Sequence, residues 1–87
     1  MKTRFKFIHF EKGSHGGGPG FYCKNNKTGD ILCFVTLYLP WQRVCLFTIN
    51  EKAVLSPDCQ KDIRTFCLAL EDLYFEKEED HENAKSD

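Results

Sequence analysis

Apolar side chains recur along this chain in two rhythms. Between residues 3 and 49 they fall at every second position or in short unbroken runs, and from residue 57 at every third and fourth. The first rhythm belongs to strands and the second to a helix. Residues 3–10 alternate, with Phe5, Phe7 and His9 on one side and Arg4, Lys6, Ile8 and Phe10 on the other. Aromatics in period two predict a half-buried strand there. Residues 21–23 restart an extended segment. Residues 31–39 are apolar on both faces, as a central strand covered from two sides would be. Residues 41–49 alternate again, with Trp41, Cys45, Phe47 and Ile49 on one side and Arg43 interrupting the row.

The segments between these runs carry turn chemistry. Residues 11–20 hold five glycines, which predicts a flexible, irregular loop over 13–20. Asn and Gly within 24–30 suit a turn with positive φ. Pro40-Trp41 supplies a tight connection, and 50–53 form a further turn. Ser56 is placed to cap a helix, Pro57 suits its first position and Asp58 complements its positive end. Cys59, Ile63, Phe66, Cys67, Leu70, Leu73 and Tyr74 then form one apolar stripe on a helix from about 57 to 77. Short links between successive strands favour an antiparallel meander. The predicted fold is therefore α+β, three to four antiparallel strands in ββββα order packed on one C-terminal helix. It makes one domain over 1–78, followed by an acidic, disordered tail over 79–87.

Composition narrows the class. Eighty-seven residues allow a single core, and the 23 Ile, Val, Leu and Phe are enough to fold it. No apolar run approaches the roughly 18 residues of a membrane helix, and the first ten residues lack a signal-peptide core. Five cysteines at 23, 33, 45, 59 and 67 form no C-x-x-C pair and are odd in number. Neither a disulfide framework nor a zinc ribbon is suggested. Cys33, Cys45 and Cys67 lie inside apolar runs, as reduced core thiols of a cytoplasmic chain do.

Catalytic chemistry finds little support. His15-Gly16-Gly17-Gly18 resembles the oxyanion-hole sequence of lipases and esterases, but the nucleophile elbow that must accompany it is missing. A phosphate-cradling loop would lead into a helix, whereas these glycines lead into Phe21-Tyr22-Cys23. His9, His15 and His81 are scattered without metal-ligand spacing. The expectation is a non-enzyme that takes no cofactor and no metal.

Charge changes the picture more. The net charge is −1, yet residues 1–55 carry +5 and residues 56–87 carry −6. A basic sheet beside an acidic helix is a polarised domain. On a helical wheel Leu68 and Phe75 fall opposite the main stripe, beside Arg64, Glu71 and Asp72. Two large apolar groups in a charged surround are the mark of a protein contact. The expected function is a small non-catalytic protein-binding domain, of the kind of a phage- or plasmid-encoded inhibitor or modulator of a host protein. The expected contact residues are Leu68, Glu71, Asp72, Phe75 and Glu76, and a homodimer is an alternative use of the same face. An uncovered sheet edge or the glycine loop is a further contact site.

The runner-up is a domain that binds single-stranded nucleic acid. Thr28-Gly29-Asp30-Ile31-Leu32 through Leu55-Ser56-Pro57 and the helix, roughly residues 21–75, resembles the plan of the transcriptional-coactivator domains that bind single-stranded DNA. That resemblance implies a strand-binding sheet. Phe5, Phe7 and Tyr22 beside Lys2, Arg4, Lys6, Lys24 and Lys27 would supply stacking faces and cations. Against it, residues 31–49 carry only Arg43.

Overall fold

The computed structural model describes residues 1–75. Four strands, β1 (Ile8–His15), β2 (Gly18–Asn25), β3 (Ile31–Tyr38) and β4 (Arg43–Phe47), precede one helix, α1 (Pro57–Phe75). The strands lie in the order β1-β2-β3-β4, each antiparallel to the next. The α+β class and ββββα order expected from the two rhythms are thus what the chain forms. No helix among the described residues is long and apolar enough to cross a membrane.

Two boundaries move. The alternating stretch 3–10 is not one strand. The Phe5 N–H donates to Ile8 O at 2.8 Å and the Phe10 N–H to Thr3 O at 2.8 Å, so the chain reverses at residues 5–8. Arg4 then bridges back to His9 along the outer edge of β1. The reversal lets Phe5 join Ile8 and Phe10 against the core although the three do not share a period of two. The glycine-rich segment is not an irregular loop either. β1 and β2 stay paired up to His15 and Gly18, leaving Gly16 and Gly17 as a two-residue hairpin turn. Their φ values of 61° and 84° match the primed turn that suits strand twist, a conformation glycine adopts without steric penalty.

The other glycines answer to crowding. Side chains at 9, 11, 13 and 15 of β1 and at 18, 20, 22 and 24 of β2 share the face turned away from α1. There the Tyr22 ring lies over Gly13, where a Cβ would meet it at 2.5 Å. The Phe34 ring lies over Gly20, where a Cβ would come within 2.6 Å of the ring and 2.4 Å of Val35 O. The Tyr22 hydroxyl donates to Ser14 O at 2.6 Å, holding its ring flat along the strand. These rings do what the doubly apolar β3 pattern asked of a second layer: Phe34 is 2% exposed without one.

The core lies on the opposite face, between the sheet and α1. Ser56 caps the helix, its Oγ accepting the Cys59 N–H at 3.2 Å. Phe66 stacks on Phe10 with centroids 3.8 Å apart and planes 3° from parallel, and meets the Phe21 ring edge-on at 5.1 Å. Ile63 and Leu70 flank it over Ile8, Cys23, Cys33, Val35 and Val44. The stripe expected to run on through Leu73 and Tyr74 stops short, since both are exposed. Position 71 already lies level with Arg43, where β4 begins, so Leu73 and Tyr74 lie beyond the part of the sheet that α1 covers.

All five cysteines are free. Cys23 and Cys33 are register partners at zero exposure on the core face. The hydrogen bond between them, together with burial, pushes the Cys23 thiol far up, and burial pushes Cys67 up to about 12.

Two outcomes follow. Gly20→Ala should cost about 1–3 kcal/mol in urea denaturation, because the backbone Val35 O cannot move without disturbing the strand and the buried Phe34 ring would have to shift as well. Gly18→Ala, with open space around its added methyl, should stay within about 0.5 kcal/mol. Under native conditions a thiol-specific disulfide reagent should modify Cys45 and Cys59 first and Cys23 and Cys33 only on unfolding. Rapid labelling of all five would refute the buried pair.

Candidate functional site

The face of the sheet turned away from α1 divides into two chemically different halves. Across β1 and β2 it is polar and internally paired. Glu11 accepts from Lys24 Nζ at 2.8 Å and lies 3.0 Å from His9 Nε2. The Lys24 ammonium and then His9 hold the Glu11 carboxyl below its ordinary value. This half is satisfied against water and needs no partner.

Across β3 and β4 the same face is apolar. The register sets Phe34 opposite Phe47, Thr36 opposite Cys45 and Tyr38 opposite Arg43. Their link is a tight turn in which Trp41 N–H donates to Tyr38 O at 3.1 Å and Gln42 N–H to Leu39 O at 3.0 Å. Gln42 takes a left-handed φ of 51°, which completes the reversal. The turn projects Trp41 beside Tyr38, with centroids 5.0 Å apart and rings edge-to-face, and Phe47 lies 6.2 Å from Tyr38. Trp41 and Leu39 are each 69% exposed. Two depressions sharing Phe47 flank the corner, one of about 290 Å³ against Tyr38, Trp41 and Cys45. The other, of about 470 Å³, lies against His15, Gly18, Phe34, Thr36 and Ile49. Among the described residues no Lys, Arg, Asp or Glu lines either one.

The helix residues expected to form the contact are placed differently. Glu71 is not on an outer rim. It is 4% exposed and its Oε2 accepts from Arg43 Nε at 2.7 Å and from the Val44 N–H at 2.8 Å. Val44 lies in the edge strand, so this carboxylate occupies an amide that would otherwise be open to a passing strand. The hydrogen bond from Arg43 to Glu71 raises the Arg43 pKa above its ordinary value. Leu68 is half-buried along a cleft of about 350 Å³ between α1 and β4, lined also by Val44, Leu46, Arg64 and Cys67. Phe75 is half-buried, Asp72 is exposed, and Glu76 lies outside the described residues, as does the predicted tail. Of the sheet edges, any of which the expected uncovered edge could be, the one at β4 is therefore partly closed by Glu71.

The basic-aromatic set is split as well. Phe5 packs into the core, edge-on to Phe10 at 6.0 Å, with Lys2 Nζ 4.7 Å over its ring. Tyr22 lies flat on the open face and Lys24 is paired with Glu11. Lys6, Phe7 and Lys27 do come together, lining one cleft at the far end of the sheet, and Arg4 runs alongside β1.

The exposed corner carries a signal in the sequence that alternation alone does not show. Tyr38-Leu39-Pro40-Trp41 places four apolar residues in a row at a turn, where polar residues are the rule. No family model, no curated protein and no solved structure matches the chain. The likeness to the coactivator plan rests on element order alone.

The Glu71 tie makes a direct test. Glu71→Ala leaves the Val44 amide and the Arg43 guanidinium without their acceptor, and should lower stability by about 2–4 kcal/mol in urea denaturation. Glu71→Gln, which keeps one acceptor oxygen, should lose roughly half as much.

Proposed function

We propose that the protein is a non-catalytic protein-binding domain whose contact is the uncharged aromatic corner formed by Tyr38, Leu39, Trp41 and Phe47. One observation carries this: a projecting Trp and Leu, each 69% exposed, beside two apolar depressions that no Lys, Arg, Asp or Glu among the described residues lines. Interfaces concentrate their binding energy in aromatic anchors with few charges at the centre. Nucleic acid at this corner would need cations, and Arg43 is already committed to Glu71. The reading includes a phage- or plasmid-type inhibitor or modulator of a host protein, since masking a surface needs no catalytic group. The contact moves from the helix pair Leu68 and Phe75 to the β3–β4 turn.

Trp41→Asp tests it. The substitution should change stability by no more than about 0.5 kcal/mol, because the side chain is mostly in water. Partners captured by the wild-type domain and identified by mass spectrometry should bind the variant at least about 30-fold more weakly. Equal capture by both forms would move the contact elsewhere.

A further inference from the structure

A second surface, at the opposite end of the sheet, has a different chemistry. The reversed N-terminal segment and the β2–β3 turn meet there, and Asn26 holds them together. Its Nδ2 donates to Phe5 O at 2.8 Å and Lys6 O at 3.2 Å, and its backbone N–H donates to Phe7 O at 2.9 Å. Three donors of one residue thus take three consecutive carbonyls. The Asn26 Oδ1 lies 2.7 Å from His9 Nδ1, which fixes the amide's orientation. On the other side, Asn25 Oδ1 accepts the N–H groups of Lys27 at 2.7 Å and Thr28 at 3.0 Å. The Asn25 Oδ1 and Asn26 side-chain groups that shape the cleft are thus paired within the protein, and Lys6, Phe7 and Lys27 are exposed around it.

The cleft measures about 350 Å³ and is lined by Lys6, Phe7, Asn25, Asn26, Lys27 and Thr28, with no acidic side chain among them. Phe7 is 46% exposed although apolar, with Lys6 Nζ 5.2 Å from its ring centroid. Lys2 and Arg4 lie just upstream and add to the positive potential. Core packing does not explain an exposed phenyl ring beside Lys6 in a cleft that Lys27 also lines.

We propose that this cleft holds a short stretch of single-stranded nucleic acid, one base stacked on Phe7 and the adjoining phosphates on Lys6 and Lys27. An acidic polypeptide would satisfy the lysines but leave the ring without a use. A flat base satisfies both, because every base has a π-face and every linkage a charge. A duplex is disfavoured because its bases are already stacked on one another. The site is independent of the aromatic corner, at the other end of the strands, and involves neither Trp41 nor Glu71.

The test is fluorescence anisotropy with a labelled 12-nucleotide oligothymidylate and the full chain, at low and at physiological salt. Two or three neutralised phosphates predict a log K versus log salt slope of about −1.4 to −2.1. Phe7→Ala should weaken binding about tenfold, and Lys27→Glu by a similar factor, with folding checked by circular dichroism. Lys27→Gln serves if the glutamate disturbs the turn. Trp41→Asp should bind as the wild type does. Absence of binding at low salt would overturn the assignment, as would an affinity unchanged in both Lys27 variants. Competition by polyglutamate, together with indifference to Phe7→Ala, would also overturn it, since the end would then be a general polyanion surface.

Discussion

One helix cannot cover a four-stranded sheet on both sides. Strands about 4.8 Å apart make a layer roughly 19 Å wide, and a helix about 10 Å across shields part of one face. The core accordingly gathers where α1 meets the sheet, around Phe66, stacked on Phe10 and edge-on to Phe21. Everything on the other face must meet water by its own means. The two halves of that face do so differently, and the difference separates structure from surface available for binding.

Over β1 and β2 the open face is closed by its own residues. Tyr22 and Phe34 lie flat where glycines leave room, and Glu11 takes both Lys24 and His9. Beyond Phe34, the face over β3 and β4 is closed by no described residue, and the apolar row ends in a Trp that the turn lifts into solvent. The sheet edges follow a similar logic. Residues 3–5 fold back along part of β1, and Glu71 reaches from α1 to occupy an amide of β4. Both devices discourage strand addition, so the β3–β4 corner is the better candidate for a partner than either edge.

The polarity visible in the sequence has a spatial counterpart, though not the expected one. The cations of residues 1–55 do not coat the sheet. Two of them are neutralised in place, Lys24 by Glu11 and Arg43 by Glu71. Lys6 and Lys27 collect at one end, because the chain reversal at residues 5–8 and the β2–β3 turn meet through Asn26. A charge sum over half of the chain carries no record of which cations are already paired. That is why Lys6, Phe7 and Lys27 could be named from the sequence within a larger set, while their separation from Phe5, Tyr22 and Lys24 could not.

The sequence by itself determined the order of elements, the helix start at Ser56-Pro57 and the apolar character of β3. These follow from side-chain period and cap chemistry, which act within a few residues. It also held a readable mark of the exposed corner, four apolar residues in a row at a turn. Tertiary structure alone decided the rest. Glycines that looked like loop formers are strand residues, because what they make room for, the rings of Tyr22 and Phe34, comes from neighbouring strands. Glu71, one of many acids on a helix, is buried because register and helix placement bring it to Val44. Leu73 and Tyr74 match the core stripe yet lie in water, because a helical period says nothing of where the sheet beneath it ends.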